Sequence, residues 1–237
     1  MEKQFIYRYE MHCHDNWCSA CATRSPQEMA AAYYRAGYAG MVFTNHFLLG
    51  NTAVDRSLPW EDKVRAYWDA HLAAREWAAG QERPFHVLFG LEHAYGHGKE
   101  VLTYGIDLDF LLAHPDLHLT TLEEYVRLVH EGGGLVVQAH PYRHKPYIDP
   151  DFPLQPELLD GAETYNYENT DEENAQAEAL AEEYHLLRTS GADAHWDEGP
   201  FIGQAGIALP EPVDDGKALV ALMKAGDYRL IIHGEID

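Results

Sequence analysis

The chain has 237 residues, 46% of them hydrophobic, and it carries 17 basic against 39 acidic side chains. This length and apolar content allow a sizeable core, and we expect residues 1–237 to form a single domain. The formal net charge of -22 disfavours a nucleic-acid partner, because binding to a phosphate backbone needs a face of Lys and Arg side chains.

The composition also argues against a membrane or secreted protein. The longest apolar run is far shorter than a membrane span, and the first residues lack the apolar core of a signal peptide. The cysteines, Cys13, Cys18 and Cys21, are odd in number and crowded near the N-terminus, so a disulfide framework is not expected. We therefore predict a cytoplasmic protein that does not associate with membranes. The sequence leaves the oligomeric state open.

Short apolar runs alternate with capped helices along the chain. A first strand ends at His14. The helix that follows it, to about residue 36, has an N-cap, an N1 proline and a capping-box glutamate in Ser25, Pro26 and Glu28. A second capping box is predicted at Thr121, and Thr170 is predicted to cap a later helix. Further strands are predicted at 40–44, 85–92, 101–106, 135–139, 186–190 and 228–233, and further helices at 60–79, 121–131, 171–184 and 217–225. This alternation predicts parallel βαβ units that close into a barrel.

Six segments at the ends of these apolar runs carry metal-ligand side chains. His12 and His14 lie two apart on a strand, so they project to the same side and can chelate one metal. Because the carboxyl ends of barrel strands meet at one rim, we expect a shared multi-metal pocket there. The segments are His12-Cys13-His14, Thr44-Asn45-His46, Gly90-Leu91-Glu92, Gln138-Ala139-His140-Pro141, Glu163-Thr164-Tyr165-Asn166 and Asp193-Ala194-His195.

The order of these motifs, from His12 to His195, resembles the PHP (polymerase and histidinol phosphatase) superfamily. The segments Tyr33–His46 and Gly134–Arg143 are also similar to the small stand-alone, histidinol-phosphatase-like members. The resemblance implies an α/β fold, namely a distorted (β/α)7 TIM-like barrel, with two or three divalent metal ions. Zinc, manganese and iron all suit imidazole and carboxylate ligands.

The resemblance also implies a set of ligands. A first metal would be held by a histidine pair and two carboxylates, one of which bridges to a second metal. Two further histidines would hold a third metal or complete a neighbouring site. The implied ligands are His12, His14, Glu92 and Asp193 for the first metal, Glu92 and His140 for the second, and His46 and His195 for the third.

The sequence departs from the family pattern in three places. The usual Thr-Asp-His has Asn45 at its centre, and the Asp or His expected shortly after His14 is missing. Asp15, Cys18 or Cys21 would have to replace that ligand. The third ligand on the second metal is not evident either; His97 and Glu100 lie nearby in the sequence.

These features predict a metal-dependent phosphoesterase that acts on a small phosphorylated metabolite, with metal-activated water as the nucleophile. Arg143 follows His140-Pro141 and is a candidate for a bidentate contact to phosphate. Lys145 and Lys99 are weaker candidates. His195 could protonate the leaving group if it is not a ligand.

Two other functions stay open. An amidohydrolase-type barrel that cleaves a C–N bond also begins with His-x-His, but the early Glu92 and the late Asp193-Ala194-His195 favour the PHP pattern. A non-catalytic metal-binding module is the other, because a ligand is missing after His14. Cys18 and Cys21 have Cys-x-x-Cys spacing but no second pair, so we expect them to pack rather than bind zinc. For Glu163 and Asn166, a supporting or substrate role and simple packing are equally expected.

Overall fold

A computed structural model describes residues 3–237 of the chain. Ten strands occur among these residues: β1 (Tyr7–Cys13), β2 (Gly40–Phe43), β3 (His86–Gly96), β4 (Lys99–Tyr104), β5 (Leu135–Gln138), β6 (Gly161–Asn166), β7 (Leu187–Gly191), β8 (Ala205–Leu209), β9 (Arg229–Ile232) and β10 (Glu235–Ile236). The helices are α1 (Pro26–Arg35), α2 (Trp60–Ala79), α3 (Leu108–Ala113), α4 (Leu122–Glu131), α5 (Asp171–Tyr184) and α6 (Gly216–Lys224). Single 3₁₀ turns occur at Leu117–Leu119 and Pro156–Leu158.

The strands form one curled sheet in the order β10-β9-β8-β1-β2-β3-β4-β5-β6-β7. The sheet curls until the end of β7 reaches the end of β1. There the Ala194 N–H donates to the His12 carbonyl over 3.1 Å, and the His14 N–H donates to the Ala194 carbonyl over 2.9 Å. Strands β1 to β7 therefore surround a barrel, and the predicted α/β TIM-like barrel fold is confirmed.

One strand of the barrel runs against the predicted direction. β4 pairs antiparallel with both β3 and β5, whereas β1-β2-β3 and β5-β6-β7 are parallel. The turn Gly96-His97-Gly98, with φ of 123°, 54° and 75°, returns the chain directly from β3 to β4. A parallel pair would need a crossover of a dozen or more residues, so this short turn forces the hairpin.

Strands β8, β9 and β10 extend the sheet beyond β1 as an antiparallel group. β9 was predicted, but β8, β10 and α3 were not. β8 is short and packs tightly on β1. A Cβ on Gly206, at φ 125°, would lie 2.2 Å from the Tyr9 carbonyl oxygen, so the close approach of the two strands requires glycine there.

The helix ends follow the predicted capping chemistry with one exception. Ser25 and Thr170 form complete capping boxes at the starts of α1 and α5. At α4, the Thr121 hydroxyl accepts the Glu124 N–H over 3.3 Å, but the Glu124 carboxylate bonds to Arg127 instead of returning to the cap. The capping box predicted at Thr121 is therefore only half formed.

Apolar side chains fill the interior of the barrel away from the carboxyl ends of its strands, and polar groups lie at those ends. Met11, Leu102 and Val137 are fully buried in one cluster that also includes Leu219 and Met223 of α6. Among residues 3–237, no helix combines the length and the apolar character needed to cross a bilayer.

Candidate metal centre

All seven predicted ligands converge at the carboxyl end of the barrel, and an eighth side chain joins them. They form four overlapping groups of three, and within each group the ligand atoms lie within 4.8 Å of one another. Because four of the eight residues, His12, His14, His46 and Glu92, each belong to two groups, the groups make one continuous cluster. The groups are His12, His14 and Asp193; His12, Glu92 and His140; His46, Glu92 and Glu100; and His14, His46 and His195.

The cluster is assembled from six strands of the barrel. His12 lies in β1, Glu92 in β3 and Glu100 in β4, while the other ligands follow β1, β2, β5 and β7 within four residues. His140 and Asp193 have φ of 26° and 53°. Non-glycine residues rarely adopt positive φ, and such strained positions concentrate at functional sites.

Hydrogen bonds fix the tautomers of three imidazoles. His12 Nδ1 lies 2.9 Å from Glu163 Oε1, and His195 Nδ1 lies 2.8 Å from the Asp193 carbonyl oxygen. Carboxylate and carbonyl oxygens only accept hydrogen bonds, so both Nδ1 atoms carry the proton. The Nε2 lone pairs of His12 and His195 are therefore free to bind a metal.

His14 is oriented in the same way by a chain of polar side chains. Its Nδ1 lies 3.1 Å from Ser19 Oγ, and the Ser19 hydroxyl donates to Asn45 Oδ1 over 2.9 Å. The Ser19 oxygen can then only accept from the imidazole, which again leaves Nε2 free. The Asn45 amide donates in turn to the Asp15 carboxylate. Burial raises the pKa of Asp15 to about 6, and an aspartate at position 45 would repel this carboxylate. The departure from the usual Thr-Asp-His therefore fits its surroundings.

Glu92 lies at the centre of the cluster and is fully buried. Its Oε1 is 3.1 Å from His140 Nε2 and 3.2 Å from His12 Nε2, and its Oε2 is 2.7 Å from His46 Nδ1. Burial opposes ionisation, but the His46 and His12 imidazoles outweigh it and hold the pKa of Glu92 well below its usual range. Glu92 is thus a carboxylate placed between several imidazoles, as a bridging ligand would be.

Asp193 is held by Arg143, which is itself largely buried. The Arg143 Nη1 donates to Asp193, Nη2 donates to Asn166 over 2.7 Å, and Nε donates to Asn169 over 2.9 Å. These bonds use three of the five guanidinium N–H groups. Burial opposes ionisation of Asp193, but His12 and Arg143 outweigh it and keep the pKa well below the usual range.

Glu163, at the end of β6, ties these elements together. In addition to His12, its carboxylate accepts the His140 backbone N–H over 3.0 Å and the Asn166 amide over 2.9 Å. Burial opposes ionisation, but the His12 imidazole outweighs it and lowers the pKa of Glu163. Of the two roles left open for Glu163 and Asn166, this geometry favours support of the ligands.

The donor set fits divalent metal ions. Among the described residues, five buried atoms of the cluster approach one another but make no hydrogen bond of acceptable geometry: His12 Nε2, His14 Nε2, His46 Nδ1, Glu92 Oε2 and Asp193 Oδ1. An unsatisfied buried polar group costs about 1–3 kcal/mol, so the arrangement is unfavourable without a further partner for these atoms. Bound cations would satisfy all five atoms at once, and imidazole with carboxylate suits zinc, manganese and iron.

A cavity of about 740 Å³ opens onto the cluster. Arg143 and Lys145 contribute positive charge to its wall, whereas Lys99 faces a different pocket. Its rim also carries apolar side chains, since Leu49, Tyr147 and Trp196 are 50%, 67% and 47% exposed.

Two residues of the cavity wall were named from the sequence only as possible replacements for missing ligands. Glu100 Oε1 lies 3.3 Å from His46 Nδ1 and Oε2 lies 3.7 Å from His140 Nε2, so Glu100 occupies the place where a further ligand was missing. His97, the other candidate there, pairs with Asp149 instead, outside the cluster.

The second is Cys21, for which packing was expected. Its thiol faces the cavity next to His46 and His195. Burial opposes thiolate formation, but the two imidazoles outweigh it and lower the pKa of Cys21 to about 6. Cys18 is fully buried in the core, as the packing prediction requires, whereas Cys21 is only partly buried and lines the cavity.

No protein-family model and no curated protein matches this sequence, but solved structures do. One is a two-domain protein from Bacteroides vulgatus containing a predicted PHP-like metal-dependent phosphoesterase. It is 13% identical over 100% of this chain and 69% of that one, with a TM-score of 0.68. Endonuclease Q, solved with an abasic 27-mer duplex, is 12% identical over 92% of this chain and 56% of that one, with a TM-score of 0.60.

An amidohydrolase from Chromobacterium violaceum, solved with sulfate and no metal, is 15% identical over 80% of this chain and 88% of that one, with a TM-score of 0.53. At these identities the likeness concerns the fold. The chain shares its barrel fold with these structures, as the resemblance of its sequence motifs implied.

Proposed function

We propose that this protein is a metal-dependent hydrolase that cleaves a phosphoester bond in a small phosphorylated metabolite. The observation that carries the proposal is the cluster of eight metal-ligand side chains at the edge of an open cavity, in which five buried atoms of the described residues make no hydrogen bond. The cavity volume of about 740 Å³ falls within the range of small-molecule sites.

The geometry supports the ligand sets implied by the sequence and adds Glu100 to them. His12, His14, Glu92 and Asp193 would hold a first ion, Glu92 would bridge to a second with His140 and Glu100, and His46 and His195 would contribute to a third. When bound, such ions activate water at neutral pH and offset the charge of a phosphoryl group.

The chain's own residues would orient the ester. Arg143 has one free N–H on each terminal nitrogen after holding Asp193, so it can both position that ligand and contact phosphate. Lys145 adds a second cationic group on the same wall. His195 acts as a ligand through Nε2, because its Nδ1–H is committed to the Asp193 carbonyl.

The proposed substrate is small rather than a nucleic acid because the chain offers 17 basic against 39 acidic side chains. The fold shared with Endonuclease Q makes DNA the comparison that the experiment must include. The fold shared with an amidohydrolase makes C–N cleavage the other.

The test is a hydrolysis panel with manganese, zinc or iron(II) added to the purified protein. The panel contains p-nitrophenyl phosphate, phosphorylated metabolites, an abasic DNA duplex and a set of amides and lactams. We expect turnover of small phosphoesters that is abolished by a chelator and by His12→Ala. Turnover confined to amides would support the amidohydrolase function, and turnover confined to the duplex would support a nuclease. Stoichiometric metal with no turnover would support a non-catalytic module.

A further inference from the structure

At one end of the ligand cluster, a group of three histidines lacks a fourth ligand for a metal ion. His14, His46 and His195 offer ligand atoms within 4.8 Å of one another, and the rings of His14 and His195 stack with centroids 4.3 Å apart. His14 Nε2, however, also lies 3.0 Å from Asp193 Oδ1 and belongs to the neighbouring group. Four-coordinate sites built from imidazole and sulfur are common for zinc, so a fourth donor is needed here.

Three side chains after His14 could supply that donor, and two of them are committed elsewhere. The Asp15 carboxylate accepts two backbone N–H groups and the Asn45 amide. Cys18 is fully buried in the apolar core, and its thiol donates to the Ala66 carbonyl over 3.7 Å. Neither side chain is free to turn towards the histidines.

Cys21 is the third, and the fold holds it in place. It lies on the same cavity wall as His46 and His195. On one side of Cys21, the Ala20 N–H donates to the Asn51 carbonyl over 2.8 Å. On the other side, the Thr23 N–H donates to the His195 carbonyl over 3.0 Å. The loop therefore fixes the thiol next to the imidazoles from both directions.

An independent feature points to a cation at the same place. His14 is fully buried, its Nδ1 is taken by Ser19, and its Nε2 has no hydrogen-bond partner. A buried imidazole nitrogen that makes no hydrogen bond is an atom that a metal ion would satisfy.

We infer that Cys21 is a thiolate ligand that completes the metal site of His46 and His195. Binding releases the thiol proton to solvent. Sulfur with imidazole favours zinc, cobalt or iron(II) over manganese or magnesium, while Glu92 and Asp193 at the other end give a harder site. The cluster thus holds one soft and one hard region. The inference rests on the metal centre of the proposed function but not on the reaction that it catalyses.

The experiment is cobalt(II) titration of the metal-free full-length protein, with metal content measured in parallel. A cobalt–thiolate bond produces a charge-transfer band in the near ultraviolet that carboxylate and imidazole ligands do not. The variants are Cys21→Ala and the matched control Cys18→Ala, with circular dichroism to confirm folding. Cys21→Ser is a second variant, which retains the size of the side chain.

We expect the band in the wild type and in Cys18→Ala, and its loss in both Cys21 variants. We also expect about a tenfold or greater loss of affinity for one zinc equivalent in these variants, since even groups that only support a ligand contribute about 10–100-fold. A band that persists without Cys21, or a wild type that binds cobalt at the cluster without the band, would overturn the assignment. Neither result depends on turnover, so a failure here is distinct from a failure to find a substrate.

Discussion

Replacing Glu163 by Gln tests whether the buried carboxylate beneath the cluster sets metal affinity. Glu163 is fully buried and accepts hydrogen bonds from His12 Nδ1, the His140 backbone and the Asn166 amide. Glutamine keeps the shape of the side chain but exchanges one oxygen for an NH2 group. In either orientation of that amide, at least one donor faces a donor.

The magnitude follows from what His12 can do. If the amide NH2 faces His12, the imidazole must carry its proton on Nε2 and can no longer offer that lone pair to a metal. If the amide NH2 faces the other way, it opposes the donors of His140 and Asn166. Loss of one hydrogen bond to a charged group is worth about 1.5–3 kcal/mol, which corresponds to about 10–150-fold in affinity. This agrees with the roughly 10–100-fold expected for groups that orient a metal ligand.

The assay is a chelator competition that gives the metal Kd of the wild type, Glu163→Gln and the matched variant Glu168→Gln. Glu168 lies on the cavity wall, where the substitution also removes one negative charge. We expect a Kd about 10–100-fold weaker for Glu163→Gln and an unchanged Kd for Glu168→Gln. An unchanged Kd for Glu163→Gln would refute the reasoning. Equal losses in both variants would show that only net charge matters.

Three further predictions follow from other contacts. Arg143→Lys keeps the charge but loses the fork that holds Asp193, so kcat/KM should fall by about 10–100-fold in steady-state kinetics; unchanged kinetics would contradict this role. Burial lowers the pKa of His71 to about 3, so its stabilising effect is present above about pH 6.5 and is lost as the pH falls towards 3. By pH 5 this loss is about 2 kcal/mol. The free energy of unfolding, measured by urea denaturation, should therefore fall by about 2 kcal/mol less in His71→Leu than in the wild type between pH 8 and pH 5. An equal fall in both proteins would contradict the prediction. Trp196→Ala removes an exposed aromatic group from the cavity rim, so KM for substrates with an apolar leaving group should rise while kcat is retained; a loss of kcat alone would count against a rim contact.

The sequence predicts the helices and the convergence of the ligands well because both depend on local signals. Ser25 and Thr170 cap their helices by hydrogen bonds to residues three positions later, which do not depend on the rest of the fold, and α2 has the predicted bounds. The ligands follow apolar strands, and strand ends meet at one rim once a barrel forms. The ring of His93, which follows Glu92 in β3, stacks on Tyr125 with centroids 4.2 Å apart, as alternation along a strand predicts for a residue on the opposite face.

The structural features that could not be predicted from the sequence depend on contacts between distant segments. β4 runs in the reverse direction because of the turn at Gly96-His97-Gly98, whose residues have positive φ angles. The spacing of apolar residues in the sequence does not predict these angles. That reversal brings Glu100 back into the cluster. Cys21 lies near the histidines because backbone hydrogen bonds join its loop to Asn51 and to His195, which follows β7. Metal binding by these residues stays a prediction.

Whether these side chains hold divalent ions can be tested with an anomalous difference map from crystals of the protein grown with zinc or manganese. We expect peaks for at least two ions within the cluster, at about 2.0–2.2 Å from imidazole nitrogens and carboxylate oxygens. The ligands should include His12, His14, Glu92, His140 and Asp193. A map in which the ions lie only outside this cluster, from protein that hydrolyses phosphoesters, would show that the cluster is not the metal centre.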